Sequence, residues 1–144
     1  FLDLRRYRAA LREIGQTPFP PPVPAIAALN AALTELEAGG GVSGRRARYL
    51  ALNTRVRSGL RGLGLKLRYL GPNTSVALTV AQLPPGLTFD TFYRDLRARG
   101  FLVYRGKGPV SHDCFLVANM GHLDLATIDR FLETVADIAG LPVA

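Results

Sequence analysis

The chain has 144 residues, of which 48% are hydrophobic and 20% are charged, and this composition predicts a single globular domain and excludes disorder. Its one cysteine, Cys114, excludes an intramolecular disulfide. No apolar run approaches the roughly 20 residues of a membrane span, so we expect a cytoplasmic protein with no membrane partner. The net charge of +7 permits nucleic-acid binding, but charge alone indicates only solubility and non-specific attraction.

The first 24 residues contain a short helix followed by a proline-rich step. Apolar residues from Leu4 to Ile14 recur at spacings of three and four, which is typical of one helix face. Four of the five residues from 20 to 24 are proline, so this step is neither helix nor central strand. It therefore predicts an extended crossing segment.

Two longer helices are predicted next. Apolar residues from Ile26 to Leu36 form a helical stripe that the glycines at 39–41 end. A second helix follows Ser43, with a stripe from Tyr49 to Leu63 and arginines mostly outside that stripe. A glycine at 64 marks the end of this helix.

After residue 64 the apolar pattern changes from helical to alternating, which predicts strands. Strands are expected at 65–69, 76–81, 101–104 and 114–120, with a turn at 71–73. Helices capped by Thr88 and by Asp124 are expected between and after these strands. The order predicts an α/β fold, a two-layer small domain in which about four short, mostly antiparallel strands carry helices on one face, preceded by long helices.

One cluster of a nucleophile, a base and an acid is present, at His112, Asp113 and Cys114. Strand alternation would place His112 and Cys114 on one face, where a Cys–His pair is one interpretation. The favoured interpretation is a loop histidine followed by a core cysteine. No ligand spacing for a metal is present, so the residues predict neither a catalytic set nor a metal site.

Two basic segments allow contacts with phosphate groups. The segment 105–108 (Arg-Gly-Lys-Gly) has glycines beside basic residues, but it lacks the spacing of a phosphate-binding loop. The arginine-rich helix over 45–61 could lie along a nucleic-acid backbone, although no nucleic-acid-binding motif accompanies it. A solvated basic surface is the favoured interpretation of both segments.

Several segments in order resemble one protein family. The sequence Gly-Gln-Thr-Pro-Phe at 15–19 precedes the proline step, and a helix ending Leu-Glu-Ala-Gly-Gly-Gly-Val at 36–42 follows it. Further matches lie at 45–49, 89–93 and 115–119. Together they resemble the C-terminal part of class V pyridoxal-phosphate-dependent aminotransferases, and among these the 2-aminoethylphosphonate–pyruvate transaminases.

The resemblance implies a fold type I enzyme with a large cofactor domain, a small C-terminal domain and a homodimeric assembly. Residues 1–24 would then be the tail of a large domain absent here, and residues 25–144 the small domain. The family's Schiff-base lysine lies upstream of this chain, and neither Lys66 nor Lys107 stands in the matching motif. The full-length protein would use pyridoxal 5'-phosphate, an amino donor and a 2-oxo acid, whereas this chain alone would bind no cofactor.

The resemblance also assigns candidate site residues. Gln16 and Thr17 match the segment that contacts the cofactor phosphate of the neighbouring subunit, and the alternative is a turn before a proline. Leu116 stands where the family has the arginine that binds the substrate's acidic group. Leucine provides no bidentate donor for that group. Arg105 stands where proline is usual, and it could supply a displaced cation.

Three hypotheses therefore remain open. The first is a fragment of a diverged aminotransferase, and the second is a non-catalytic domain kept for dimerisation or for binding a partner. The third, ranked last, is a basic nucleic-acid-binding module. The absence of an initiator methionine leads us to expect that the chain is a piece of a longer protein.

Overall fold

The computed structural model describes residues 3–71 and 73–142, so the predicted turn at 71–73 lies partly outside the described residues. The chain divides into two compact units, Phe1–Val42 and Ser43–Ala144. This division falls later in the chain than the boundary predicted between residues 24 and 25. The element order is three helices, two strands, a helix, two strands and a helix, as predicted.

The first unit contains helix α1 (Leu4–Ile14) and helix α2 (Val23–Ala38). Asp3 caps α1 by accepting a hydrogen bond from the backbone N–H of Arg5 at 3.0 Å. Neither helix has a buried residue, and the apolar side chains of both helices are partly or largely exposed to solvent. Packing within this unit therefore contributes little to holding the two helices.

Helix α3 (Gly41–Gly62) carries the stripe predicted from the sequence. Leu52, Val56 and Leu60 are buried in it. After the helix, the backbone N–H of Leu65 donates to the carbonyl of Leu60 at 3.0 Å, across a glycine in the left-handed conformation. This closure turns the chain from helix towards the sheet.

The sheet has four antiparallel strands in the order β1-β2-β4-β3. The strands are β1 (Leu67–Arg68), β2 (Leu78–Gln82), β3 (Tyr104–Arg105) and β4 (Cys114–Ala118). A short 3-10 turn, Gly108–Val110, separates β3 from β4. The central pair, β2 and β4, has the longest register and brings together residues distant in the chain.

Helices α4 (Phe89–Ala98) and α5 (Leu125–Ala139) complete the fold, and Thr88 and Asp124 cap them as predicted. The core lies between α3, α4 and α5 and one face of the sheet. The buried members from these elements are Leu52, Val56, Leu60, Ala81, Phe92, Leu96, Phe115, Val117, Ile128, Phe131, Leu132, Val135 and Ala136. The predicted two-layer fold is therefore confirmed, and its strands are antiparallel throughout.

The strand boundaries differ from the prediction for local reasons. The strand expected at 65–69 shrinks to two residues, because Leu65 closes α3 and Tyr69 takes a left-handed φ of 52°. The strand expected at 101–104 begins only at 104, because the N–H of Phe101 donates to the carbonyl of Leu96 at the end of α4. In both cases the residues that close a helix are apolar. In the sequence they therefore look like the first residues of the following strand.

Three polar side chains form a buried cluster that joins α3 to the sheet. The side-chain amide of Asn53 donates to Thr79 Oγ1 and to Asn119 Oδ1, each at 3.0 Å. The amide of Asn119 donates in turn to the carbonyls of Tyr49 and Val76, each at 3.1 Å. In this Asn–Thr–Asn cluster the buried side-chain amides have hydrogen-bond partners, and the bonds of Asn119 hold the chain in position directly after β4.

Candidate functional site

Residue Leu116, the position expected to correspond to an arginine, lies on the face of the sheet opposite the core. It pairs directly with Val80 on one side and with Tyr104 on the other, and Val80 pairs with Arg68. The neighbours of Leu116 in β4 are buried in the core, so alternation directs Leu116 to the other face. We call the face defined by Arg68, Val80, Leu116 and Tyr104 the outer face.

The outer face presents apolar and basic groups together. Leu116 is half-buried and Tyr104 is largely exposed. The Leu116 side chain has no hydrogen-bond donor. An acidic ligand next to it would therefore need a cationic side chain elsewhere on this face to bind its negative charge. Within the paired row, Arg68 is the cationic member.

Arg105, the other residue predicted to bind substrate, lies on the core-facing side of β3. It pairs with Phe115, not with Leu116. Its guanidinium bonds to Asp90 Oδ1 at 2.6 Å and lies 4.6 Å from the centroid of the Phe89 ring. The structure therefore does not bring Arg105 and Leu116 together, and a substrate role for Arg105 would require it to leave both partners on α4.

Gln16 and Thr17 lie together in the first unit, in a cavity of about 450 Å³ that the following proline segment also lines. Gln16 is exposed and Thr17 is half-buried. The Thr17 hydroxyl donates to the carbonyl of Phe19 at 2.7 Å. These residues follow the C-terminal end of α1, where the helix dipole disfavours an anion, so phosphate binding here would depend on side-chain and backbone donors alone.

Cys114 is buried, as predicted for a cysteine that enters a buried strand, and His112 is exposed in the turn before β4. The thiol donates to Asp113 Oδ1 at 3.4 Å. Burial, and then the hydrogen bond and charge of Asp113, raise the pKa of the Cys114 thiol above its usual value. A raised pKa lowers the thiolate fraction and makes Cys114 a poor nucleophile.

We expect the Cys114 thiol to react with an aromatic disulfide reagent at pH 8 at least about tenfold more slowly in the folded protein than in urea. Because the chain has a single cysteine, the released chromophore reports on this thiol alone. The folded rate should rise steeply with pH, since the raised pKa leaves the thiolate scarce at pH 8. Equal rates in the folded and unfolded protein would contradict the burial of Cys114.

Two features of the second unit escaped the sequence analysis. Asn53 stands inside the apolar stripe of α3, and a polar residue at a core position was the available signal for the Asn–Thr–Asn cluster. Arg57 lines a cavity together with Arg68, and a sequence of many arginines gave no means of distinguishing this pair. Among the described residues no group of three metal-ligating side chains occurs, and none of their helices is long and apolar enough to cross a membrane.

Comparison with known proteins connects these observations to one family. The chain is 35% identical over 137 residues to a 2-aminoethylphosphonate–pyruvate transaminase of Klebsiella pneumoniae, and this match covers 93% of the chain and 37% of the relative. A transaminase of the same name from Rhizobium meliloti is 31% identical over 140 residues, with 36% of its length covered. The chain thus spans little more than a third of the curated relatives that it matches.

Solved structures agree on the fold. An alanine–glyoxylate aminotransferase of Nostoc matches with a TM-score of 0.78 at 20% identity, over 94% of this chain and 35% of that one. A ureidoglycine–glyoxylate aminotransferase of Bacillus subtilis matches with the same TM-score at 16% identity, over 94% and 35% of the two chains. No protein-family model matches the chain. By sequence the chain is similar to 2-aminoethylphosphonate–pyruvate transaminases, as predicted, and by fold it matches the C-terminal domain of aminotransferases of the class V type.

Proposed function

We propose that the chain is the C-terminal part of an aminotransferase that, when complete, transfers the amino group of 2-aminoethylphosphonate or a related amine to pyruvate. The supporting observation is 35% identity over 137 residues to a transaminase of that name. In this proposal residues 1–24 belong to the end of the large domain and residues 25–144 form the small domain. Because the chain spans only 37% of that relative, the activity is a property of the complete protein.

The proposed cofactor is pyridoxal 5'-phosphate, which supplies the electron sink for amino transfer when it is bound. The described residues fit a part of such a site. Gln16 offers an exposed amide and Thr17 a hydroxyl, and both groups are suited to phosphate oxygens. The Thr17 hydroxyl would have to turn from the carbonyl of Phe19 to donate to the phosphate. In this proposal the two residues would contact the phosphate, and the rest of the cofactor pocket would come from elsewhere in the complete protein.

The proposed assembly is a homodimer in which Gln16 and Thr17 serve the site of the neighbouring subunit. The proposed substrates are a small amine and a 2-oxo acid. The replacement of the family's arginine by Leu116 favours a second candidate, a non-catalytic domain kept for dimerisation. Leu116 lies on the outer face with no cation directly beside it in the paired row, so an anionic donor would bind weakly there.

One assay separates the two candidates. The complete protein that carries this chain is incubated with 2-aminoethylphosphonate and pyruvate, with and without pyridoxal 5'-phosphate, and alanine is measured. Cofactor-dependent formation of alanine supports the aminotransferase. A folded, dimeric protein that neither retains the cofactor nor forms alanine would support the non-catalytic domain instead.

In the same complete protein, we expect Leu116→Arg to lower the KM for 2-aminoethylphosphonate by about tenfold or more. A charge-assisted, bidentate hydrogen bond contributes about 1.5–3 kcal/mol, and about 1.4 kcal/mol corresponds to a factor of ten. Leu116 is half-buried on the outer face, so the longer side chain can extend away from the core. Steady-state kinetics with varied donor concentration measures the change.

Leu116→Gln is the matched control, because glutamine is polar and long but carries no charge. It should leave the KM near that of the parent protein. If arginine and glutamine lower the KM equally, charge is not the cause. If neither changes it, position 116 does not face the donor's acidic group.

A further inference from the structure

The second unit contains a cavity of about 410 Å³ that the proposed aminotransferase chemistry does not use. Residues of α3, β1, β2 and the segment between the two strands line it. Six of these lining residues carry the argument: Arg57, Arg68, Tyr69, Thr74, Ser75 and Val80. The cavity is thus lined by two guanidinium groups, by hydroxyl groups and by apolar side chains such as Val80.

Arg57 lines this cavity from α3. Its Nη2 donates to the carbonyls of Ser75, at 2.9 Å, and Leu78, at 3.4 Å. Its Nε is buried and has no hydrogen-bond partner. In the part of the chain that the structure describes, no carboxylate forms an ion pair with Arg57. The positive charge of Arg57 is therefore not neutralised by a carboxylate, and its guanidinium can attract an anion that enters the cavity.

Arg68 contributes a second charge that is only partly compensated. Its Nη2 lies 3.5 Å from Asp113 Oδ2, and both side chains are almost half exposed. That carboxylate oxygen also accepts a hydrogen bond from Gln82 Nε2 at 3.3 Å. A long, exposed and shared ion pair of this kind is weak, and Arg68 remains available to a second anion.

The loop between the two strands is held in place beside these arginines. The N–H of Gly71 donates to Thr74 Oγ1 at 2.7 Å, and the Thr74 hydroxyl lies 2.6 Å from the carbonyl of Gly71. Ser75 is fixed from the other side, because Arg57 binds its carbonyl. Hydrogen bonds therefore hold this loop in position both at Gly71 and Thr74 and at Ser75.

We propose that this cavity binds a tetrahedral phosphorus oxyanion, either phosphate or the phosphonate group of a small molecule, between Arg57 and Arg68. Two guanidinium groups match a doubly charged anion with several oxygens better than a singly charged carboxylate. An anion in the cavity would supply the negative charge that Arg57 lacks. The site shares Arg68 and Val80 with the outer face, but it contains neither Leu116, Arg105, Gln16 nor Thr17, the residues proposed to serve the transfer reaction.

The test is calorimetric titration of the intact chain with inorganic phosphate, methylphosphonate and acetate at constant ionic strength. We expect saturable binding of one phosphate or methylphosphonate and weaker binding of acetate. Arg57→Gln and Arg68→Gln should each weaken phosphate binding by about tenfold. Asp113→Asn should strengthen it, because it releases Arg68 from its ion pair.

Arg61→Gln is the matched control, since Arg61 lies on the same helix, is exposed and does not line the cavity. It removes the same charge and should leave the affinity unchanged. Equal weakening by Arg61→Gln would show attraction by net charge and overturn the site, as would the absence of saturable binding. Acetate binding as tightly as phosphate would overturn the ligand class. If Arg57→Gln disturbs the loop, Arg68→Gln decides, because Arg68 is almost half exposed at the sheet edge.

Discussion

Phe115→Ala is expected to lower the free energy of unfolding by about 3–5 kcal/mol, the usual cost of removing a large aromatic side chain from a core. Phe115 is fully buried, and its ring lies 4.9 Å from that of Phe92 on α4. Few side chains could refill the space, because the sheet and three helices meet there. Urea unfolding followed by circular dichroism measures the loss.

Leu116→Ala is the control for this change, because it removes a large side chain from the adjacent position of the same strand. Leu116 is half-buried on the outer face, so its truncation should cost clearly less than that of Phe115. The difference tests the strand register itself. If the two costs were equal or reversed, Leu116 would face the core and its assignment to the outer face would be wrong.

The second large effect is expected for Asn53→Leu, which has nearly the size of asparagine but no polar atoms. The substitution leaves Thr79 Oγ1 and Asn119 Oδ1 buried without their donor. Each unsatisfied group costs about 1–3 kcal/mol, so the free energy of unfolding should fall by several times the effect of a surface change. Thermal and urea unfolding both measure it.

Thr54→Leu is the matched control, since Thr54 is the next residue of α3 and is exposed. Its effect should lie within about 0.5 kcal/mol of zero. A small effect of Asn53→Leu would mean that the core does not need the hydrogen bonds of Asn53.

The double variant Asn53→Leu with Asn119→Leu tests the coupling of the two side chains. If they form one network, the loss in free energy of unfolding of the double variant should differ strongly from the sum of the two single losses. If the losses simply add, the two residues are not coupled.

The helices were the most predictable part of this fold. In α3 the apolar spacing identified Leu52, Val56 and Leu60 as one face, and all three are buried. The caps Thr88 and Asp124 act through bonds to residues three positions later, so short-range sequence was sufficient to find them. Signals that act within one helical turn can be read without knowing the tertiary structure.

The strands and the site depend on contacts that no local pattern contains. Arg105 was a reasonable substrate cation by position, but the register pairs it with Phe115 and places it against Asp90. The hydrogen bond from Arg57 to the carbonyl of Ser75 depends on the path of a loop almost twenty residues away in the chain. The role of Leu116 rests on resemblance to a family, while its place on the outer face could have been predicted from alternation alone.

The absence of buried residues in α1 and α2 has a consequence for local dynamics. A helix that buries no side chain gains little from tertiary packing, and short helices are only marginally stable in water on their own. The amide hydrogens of Leu4–Ile14 and Val23–Ala38 in this chain should therefore exchange with solvent through local fraying. Those of β2 and β4 should exchange only when the whole second unit opens. Slow exchange in α2 would then signal that another surface has covered Ile26, Leu29 and Leu33.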